Sequence, residues 1–147
     1  MLKIVIPVAP LTKKDSPKMV YNRDDDKMEI YKSKKYKDYC RIAGMYMDPL
    51  NIDFPVNVKM TFFLPNRYPS SLLGLQEAVE EVLVDCNMLS TNDSRVLAST
   101  DGSRILFDKT FPRTEIEISR LGYSKQNNNK HRKYNRNKKS SGEESNG

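Results

Sequence analysis

Apolar residues alternate with polar ones, or run together, in three separate stretches of the chain. The first, Leu2–Val8, is β-branched and apolar, and Pro55–Leu64 alternates before it becomes continuously apolar. Arg113–Leu121 alternates strictly. These patterns predict a short buried strand whose Pro7 places its end near a sheet edge, a central strand and a half-buried final strand.

Two other stretches repeat their apolar residues with helical spacing. Lys34–Met47 follows Ser33, a favourable N-cap, and its lysines point away from an aromatic face that we expect to be core. Leu72–Cys86 has one apolar and one acidic face. Gly74 lowers helix stability by about 1 kcal/mol relative to alanine, so we expect a reason such as close approach of another backbone, or plain loss of a side chain.

Two weaker patterns predict hairpins. Lys18–Tyr21 and Lys27–Tyr31 alternate weakly on either side of the acidic run Asp24–Asp26, which predicts a loose hairpin. Asp101-Gly102 divides Arg95–Asp108 and is a good two-residue hairpin signal. The resulting order of elements predicts an α+β fold, a single domain with one mixed β-sheet and two helices packed on it.

Charge separates this domain from the end of the chain. The 147 residues include 25 Lys and Arg against 19 Asp and Glu, a net charge of +6, and +5 of it lies in residues 122–147. That segment has almost no apolar residues, so we expect a folded domain over residues 1–121 and a disordered basic tail over 122–147. A basic tail on a nearly neutral body indicates contact with a polyanion.

Several kinds of site are excluded by composition. Cys40 and Cys86 lack the CxxC spacing of metal sites, and we expect reduced core residues. The single histidine, His131, lies in the expected tail, which argues against a histidine base. Neither a glycine-rich nucleotide motif nor an apolar leader is present, so we expect a cytoplasmic protein without small-molecule cofactor or membrane anchor.

Carboxylates are the chemistry that remains. One third of the chain holds six candidate acids, Glu77, Glu80, Glu81, Asp85, Asp93 and Asp101. Magnesium is bound by a few carboxylate oxygens together with water and substrate phosphate, so acids beside a basic surface suit phosphodiester hydrolysis. An acidic helix face is also a common solubility feature, and Asp101 fits a turn role, so both interpretations stay open.

Five segments occur in an order that resembles the RusA-type Holliday-junction resolvases, especially the divergent versions of phages and prophages. The similarity runs from about Ile4 to Ile118. It is carried by the segments IPVAPLTKKDSP, YKSKKYKDY, LPNRYPSSLLGLQEAVEEVL, NDSRVLASTDGSR and PRTEIEI. The resemblance implies a small α+β homodimer in a bacterial host cell that uses Mg²⁺, with Mn²⁺ as a substitute, to make paired cuts in four-way DNA junctions.

The chain departs from the family at its catalytic motif. The family enters the second helix as D-L-(D or another residue)-N-L, often with a lysine three residues after the asparagine. Here these positions hold Ser71, Leu73, Gly74 and Glu77, and Asp93 is the family acid that remains. The resemblance then implies Ser71, Glu77 and Asp93 as catalytic positions, with Glu77 and Asp93 as the metal ligands. The basic residues that we assign to DNA binding are Lys13, Lys14, Lys34, Lys35 and Arg67.

Three functions follow as hypotheses. The first is a junction endonuclease in DNA recombination and repair, weakened by the missing acids. The second is a branched-DNA-binding or protein-interaction module that has lost catalysis on the same scaffold. The third is an RNA-binding protein that relies on the tail, where Tyr123 and Tyr134 lie among basic residues.

Overall fold

The computed structural model describes residues 1–122, which form a five-stranded mixed sheet, a separate two-stranded sheet and two α-helices. The α+β class and the two helices are therefore confirmed. The tail beyond Gly122, with His131, Tyr123 and Tyr134, lies outside the described residues. In chain order the elements are β1 Leu2–Ile6, a 3-10 helix Lys13–Asp15, β2 Lys18–Asn22, β3 Lys27–Tyr31, α1 Lys34–Gly44, β4 Val56–Leu64, α2 Leu72–Asp85, β5 Leu97–Ser99, β6 Arg104–Phe107 and β7 Arg113–Arg120.

The sheet is built around β4, as its apolar pattern predicts. Strand β7 lies between β1 and β4 and is antiparallel to both, while β5 and β6 run parallel to β4 on its other side. Every second residue of β4 is buried, from Val56 to Leu64. This alternation places one face of the sheet in the hydrophobic core with the buried sides of both helices.

The tyrosines of α1 are core residues, as expected. Tyr36 and Tyr39 are 1% and 4% exposed. The hydroxyl of Tyr39 lies 3.3 Å from Thr114 Oγ1, which ties α1 to β7, and burial raises the pKa of Tyr39 to about 12. The helix ends at Gly44 and not at Met47, so Tyr46 is 53% exposed and lies outside the apolar face predicted for it.

The prediction of a β-hairpin around Asp101-Gly102 is wrong. Strands β5 and β6 do not pair with each other, and both lie along the same edge of β4, interrupted by the Asp101-Gly102 turn. The side chain of Asn57 on β4 accepts from Asp101 N at 2.8 Å, and Ser103 Oγ accepts from Met60 N at 2.9 Å. These bonds replace the ladder across the interruption, so the turn continues an edge strand.

The hairpin predicted around the acidic run is confirmed as β2 and β3. It forms the two-stranded sheet and has no ladder with the main sheet. On one of its faces four apolar side chains meet across the strands, and each is more than half exposed. They are Met19, Tyr21, Met28 and Ile30. No helix of residues 1–122 is long and apolar enough to cross a membrane.

Candidate functional site

A cavity of about 330 Å³ lies at the N-terminus of α2, and we call it the Ser71 pocket. Ser71 is the N-cap of this 14-residue helix, and its hydroxyl accepts a hydrogen bond from Gly74 N at 3.2 Å. The free backbone N–H groups of a helix N-terminus carry partial positive charge, and two lysines add full charges. The pocket is lined by Thr12, Lys13, Lys14, Pro69, Ser70, Ser71 and Leu75.

Gly74 explains how the lysines reach this helix end. A Cβ on Gly74 would lie 2.9 Å from the Cβ of Lys13 and 3.7 Å from its Cα. The short 3-10 helix Lys13–Asp15 therefore packs directly on the first turn of α2, where only a residue without a side chain fits. The close backbone approach offered as one reason for this glycine is confirmed.

The 3-10 helix is held in place by Asp15. Its carboxylate accepts from Thr12 N at 3.1 Å and Thr12 Oγ1 at 3.0 Å, and Lys35 Nζ lies 3.5 Å away. Burial raises the pKa of Asp15, but the hydrogen bonds from Thr12 and the charge of Lys35 outweigh burial and lower it. This contact brings the start of α1, with the exposed Lys34, beside the 3-10 helix.

Arg67 lies in the loop that links β4 to α2. Its guanidinium stacks over the ring of Phe107 on β6, 4.5 Å from the ring centre. The side chain is therefore positioned by a cation–π contact at the end of the loop that supplies Pro69, Ser70 and Ser71 to the pocket. Four of the five basic residues assigned to DNA binding, Lys13, Lys14, Lys34 and Lys35, thus surround or adjoin the 3-10 helix, and Arg67 lies in the neighbouring loop.

The acidic face of α2 gathers Glu77, Glu80 and Glu81. Burial raises the pKa of Glu80, and the charges of Glu77 and Glu81 raise it further. Asn92 Nδ2 donates to Glu81 Oε1 at 3.2 Å, so the loop after α2 is tied to this face. Glu77 itself is exposed. The structure thus places Asn92, the residue before Asp93, against Glu81 of this face.

Asp93 is engaged by Arg95. Arg95 Nη2 lies 2.7 Å from Asp93 Oδ2, Arg95 Nε lies 3.0 Å from Oδ1, and Arg95 N donates to the same Oδ1 at 3.0 Å. The hydrogen bonds from the Arg95 side chain and backbone hold the pKa of Asp93 well below its usual range. Sequence reasoning missed this partner, although an arginine two residues from an acid in a loop was a visible signal.

Glu77 and Asp93, which the resemblance implies as magnesium ligands, are not joined by a third metal-binding side chain among the described residues. Within residues 1–122 no three His, Cys, Asp or Glu side chains lie close enough to hold an ion together. Ser71 uses its hydroxyl as a helix cap, Leu73 is 70% exposed and offers no ligand, and both carboxylate oxygens of Asp93 bond Arg95. Mg²⁺ is usually held by one or two carboxylates together with water and substrate phosphate, so Asp93 has to release Arg95 before its carboxylate can serve as a ligand.

No family model matches the chain, and no curated protein matches it significantly.

Proposed function

We propose that this protein is a Holliday-junction resolvase-like protein of the RusA type that binds four-way DNA junctions in recombination and repair. The ordered series of segments from Ile4 to Ile118 supports the family, and the α+β fold is compatible with it. One observation supports the proposal that the protein binds DNA. The Ser71 pocket joins a helix N-terminus, hydroxyl groups and two lysines in a single concave surface.

This combination suits the phosphate backbone of DNA. A phosphate oxygen in the pocket would accept from backbone N–H groups of the first turn of α2 and from the hydroxyl of Ser70. Lys13 and Lys14 would neutralise its charge and release counterions, which makes binding salt-dependent. Lys34 and Lys35 would extend the contact along α1 to the next phosphates. Charge and shape, not base edges, would then select a branched substrate.

A homodimer is proposed through the apolar face of the β2–β3 hairpin, with a second copy of the chain as occupant. Isolated two-stranded hairpins are marginally stable in water, and exposed clusters of large apolar residues are typical of protein interfaces. A two-fold dimer presents two equivalent DNA-binding surfaces, which matches the symmetry of a four-way junction. We expect Met19→Lys with Ile30→Lys to shift the sedimentation coefficient from dimer to monomer, while Lys27→Glu at the hairpin tip leaves it unchanged.

We expect DNA cleavage by this chain to be weaker than in the family. The family's reaction is magnesium-dependent hydrolysis of a phosphodiester, whereas here Ser71 caps α2 and Asp93 is paired with Arg95. We therefore expect slow cutting or none, with Mn²⁺ at least as effective as Mg²⁺ because Mg²⁺ demands near-ideal octahedral geometry and loses its water ligands reluctantly. The residues of this chain contribute binding and orientation of the backbone.

The second candidate is a branched-DNA-binding module that does not cut. The pairing of Asp93 with Arg95 favours it, since a carboxylate committed to an arginine is not free for a metal ion. An RNA-binding role would depend on the tail, which lies outside the described residues.

A gel-shift assay with a mobile four-way junction and a linear duplex of the same sequence tests the proposal. We expect preferential binding of the junction that weakens steeply with salt. Lys13→Gln with Lys14→Gln should weaken junction binding by at least about tenfold, because each lost phosphate contact reduces the salt-dependent part of affinity. Lys27→Gln with Lys109→Gln removes the same charge at exposed positions outside the pocket and serves as the matched control.

Three outcomes decide between the candidates. Paired nicks in Mg²⁺ or Mn²⁺ that disappear in EDTA and in Asp93→Asn support the endonuclease. Junction binding without nicks, indifferent to the metal, supports the binding module. Equal affinity for junction and duplex, or equal effects of the two lysine pairs, contradicts the assignment of the Ser71 pocket.

A further inference from the structure

The two cysteines of the chain lie together at the end of the helix pair. Cys40 is on α1, Cys86 is the C-cap of α2, and both are partly exposed. The Cys86 thiol lies 3.5 Å from the backbone carbonyl oxygen of Cys40. A Cβ on Gly44, one turn further along α1, would lie 3.9 Å from the same sulfur. Cys86 therefore packs against the C-terminal half of α1.

The groups around this pair favour a thiolate on one sulfur. The Cys86 thiol donates a hydrogen bond to the carbonyl oxygen of Cys40 at 3.5 Å. The neighbouring Cys86 side chain lowers the pKa of Cys40 and the hydroxyl of Tyr36 assists it, while burial and the charge of Asp85 oppose them. The neighbouring Cys40 side chain and burial raise the pKa of Cys86. Asp85 and Lys32 complete the charged surroundings: Tyr36 Oη donates to Asp85 Oδ2 at 2.7 Å, and Lys32 Nζ lies 3.0 Å from that oxygen.

We propose that Cys40 and Cys86 are a reversible thiol–disulfide pair, oxidised by a small-molecule disulfide such as glutathione disulfide, which links α1 to the end of α2. The proposal rests on the contact of the Cys86 sulfur with the backbone of Cys40 and is independent of any action on DNA. Both thiols are partly exposed, so a small disulfide can reach them, unlike fully buried cysteines of a core.

The step is an ordinary exchange between thiol and disulfide. The Cys40 thiolate attacks one sulfur of glutathione disulfide, its S–S bond breaks, and one glutathione leaves as a thiolate that takes up a proton. The Cys86 thiol then loses its proton and attacks the Cys40 sulfur of the mixed disulfide, which releases the second glutathione. Two protein thiols are oxidised to one disulfide, and one glutathione disulfide is reduced to two glutathiones.

The link would restrain the loop that follows α2. Cys86 is followed by Asn87, whose φ of 59° reverses the chain, and the loop then leads to Asn92 and Asp93. A covalent bond from α1 to the start of this loop would fix it relative to the basic face of α1.

Intact-mass measurement of the full chain tests the proposal. The reduced protein is incubated with glutathione disulfide, quenched in acid and digested without reductant. We expect titratable thiols to fall from two per chain to none, with a loss of about 2 Da and a cross-linked peptide that contains both cysteines. Cys40→Ser and Cys86→Ser should each stop at a mixed disulfide with one added glutathione.

A second measurement does not depend on the variants. The oxidised wild-type chain should melt at a higher temperature than the reduced chain, and a reductant should return it to the lower value. The proposal is overturned by wild-type protein that keeps glutathione on either cysteine, by a disulfide between two chains on a non-reducing gel, or by no reaction of either thiol. Circular dichroism of both serine variants establishes that they fold.

Discussion

Replacing Gly74 by alanine tests the close packing that builds the Ser71 pocket. The added methyl group would lie 2.9 Å from the Cβ of Lys13, a separation that folded proteins avoid, so the 3-10 helix must move away from α2. Overpacking of this kind destabilises by about 1–3 kcal/mol. Alanine also favours the helix by about 1 kcal/mol relative to glycine. We expect a net loss of about 1 kcal/mol in the free energy of unfolding.

Gly44→Ala is the matched control. Gly44 is the last residue of α1, and its new Cβ would meet only Cys86 Sγ at 3.9 Å, an ordinary van der Waals contact. This variant should keep most of the helix-propensity gain without the overpacking. The two variants should therefore differ by about 1–3 kcal/mol, the size of the steric effect alone.

Urea denaturation followed by circular dichroism measures this difference. With a slope of about 1–3 kcal/mol per molar urea, the midpoints of the two variants should lie about 1 M apart. Gly74→Ala should also weaken binding of a four-way junction, because Lys13 and Lys14 move with the 3-10 helix. A Gly74→Ala protein as stable as Gly44→Ala would refute the packing argument, and unchanged junction affinity would separate the pocket from DNA binding.

Three further changes have defined outcomes. Ser71→Asp with Leu73→Asp should change the free energy of unfolding by less than about 0.5 kcal/mol, because aspartate caps helices as well as serine does and Leu73 is exposed. If this double variant gains metal-dependent cutting of junctions, the wild-type chain has a disabled catalytic centre. Unchanged cutting would argue against such a centre. The pKa of Asp15 is lower in the folded protein, so Asp15 stabilises the fold above its ordinary pKa of 3.8, and this stabilisation is lost as the pH falls below 3.8. The melting temperature should therefore depend less on pH in Asp15→Asn than in wild type. Arg113→Met should lower the urea midpoint, since it removes the ion pairs of Arg113 with Asp108 and Glu115 and a guanidinium stacked 3.6 Å from the Phe63 ring centre. An unchanged midpoint would show that these contacts do not stabilise the fold.

Much of the fold follows from local patterns in the sequence. Strict alternation in β7 and the apolar run of β4 predict their places in the sheet, because each strand buries one face. Ser33 and Ser71 are the N-caps of the two helices, and both accept the capping hydrogen bond, Ser71 at the start predicted for α2. The strand patterns and the helix caps each depend on residues that are close together in the sequence, so they can be predicted from it.

The errors come from contacts between distant residues. The Asp101-Gly102 turn has the local chemistry of a hairpin, but the side chains of Asn57 and Ser103 bond across to the neighbouring strand and continue the edge of the sheet. The Ser71 pocket needs Lys13 to pack on α2, and Gly74 is the local sign of that contact. The pairing of Asp93 with Arg95 is the exception, because the two residues are neighbours in one loop and their spacing was a local signal.

The β2–β3 hairpin makes no strand pairing with the main sheet, so it can open without unfolding the rest of the domain. We expect its amide hydrogens to exchange with solvent through local opening, much faster than those of β4 and β7 in the core. A partner that covers the apolar side of the hairpin would slow exchange there and leave the slow amides of the core unchanged. The hairpin thus provides a built-in reporter of complex formation, readable by mass spectrometry without a label.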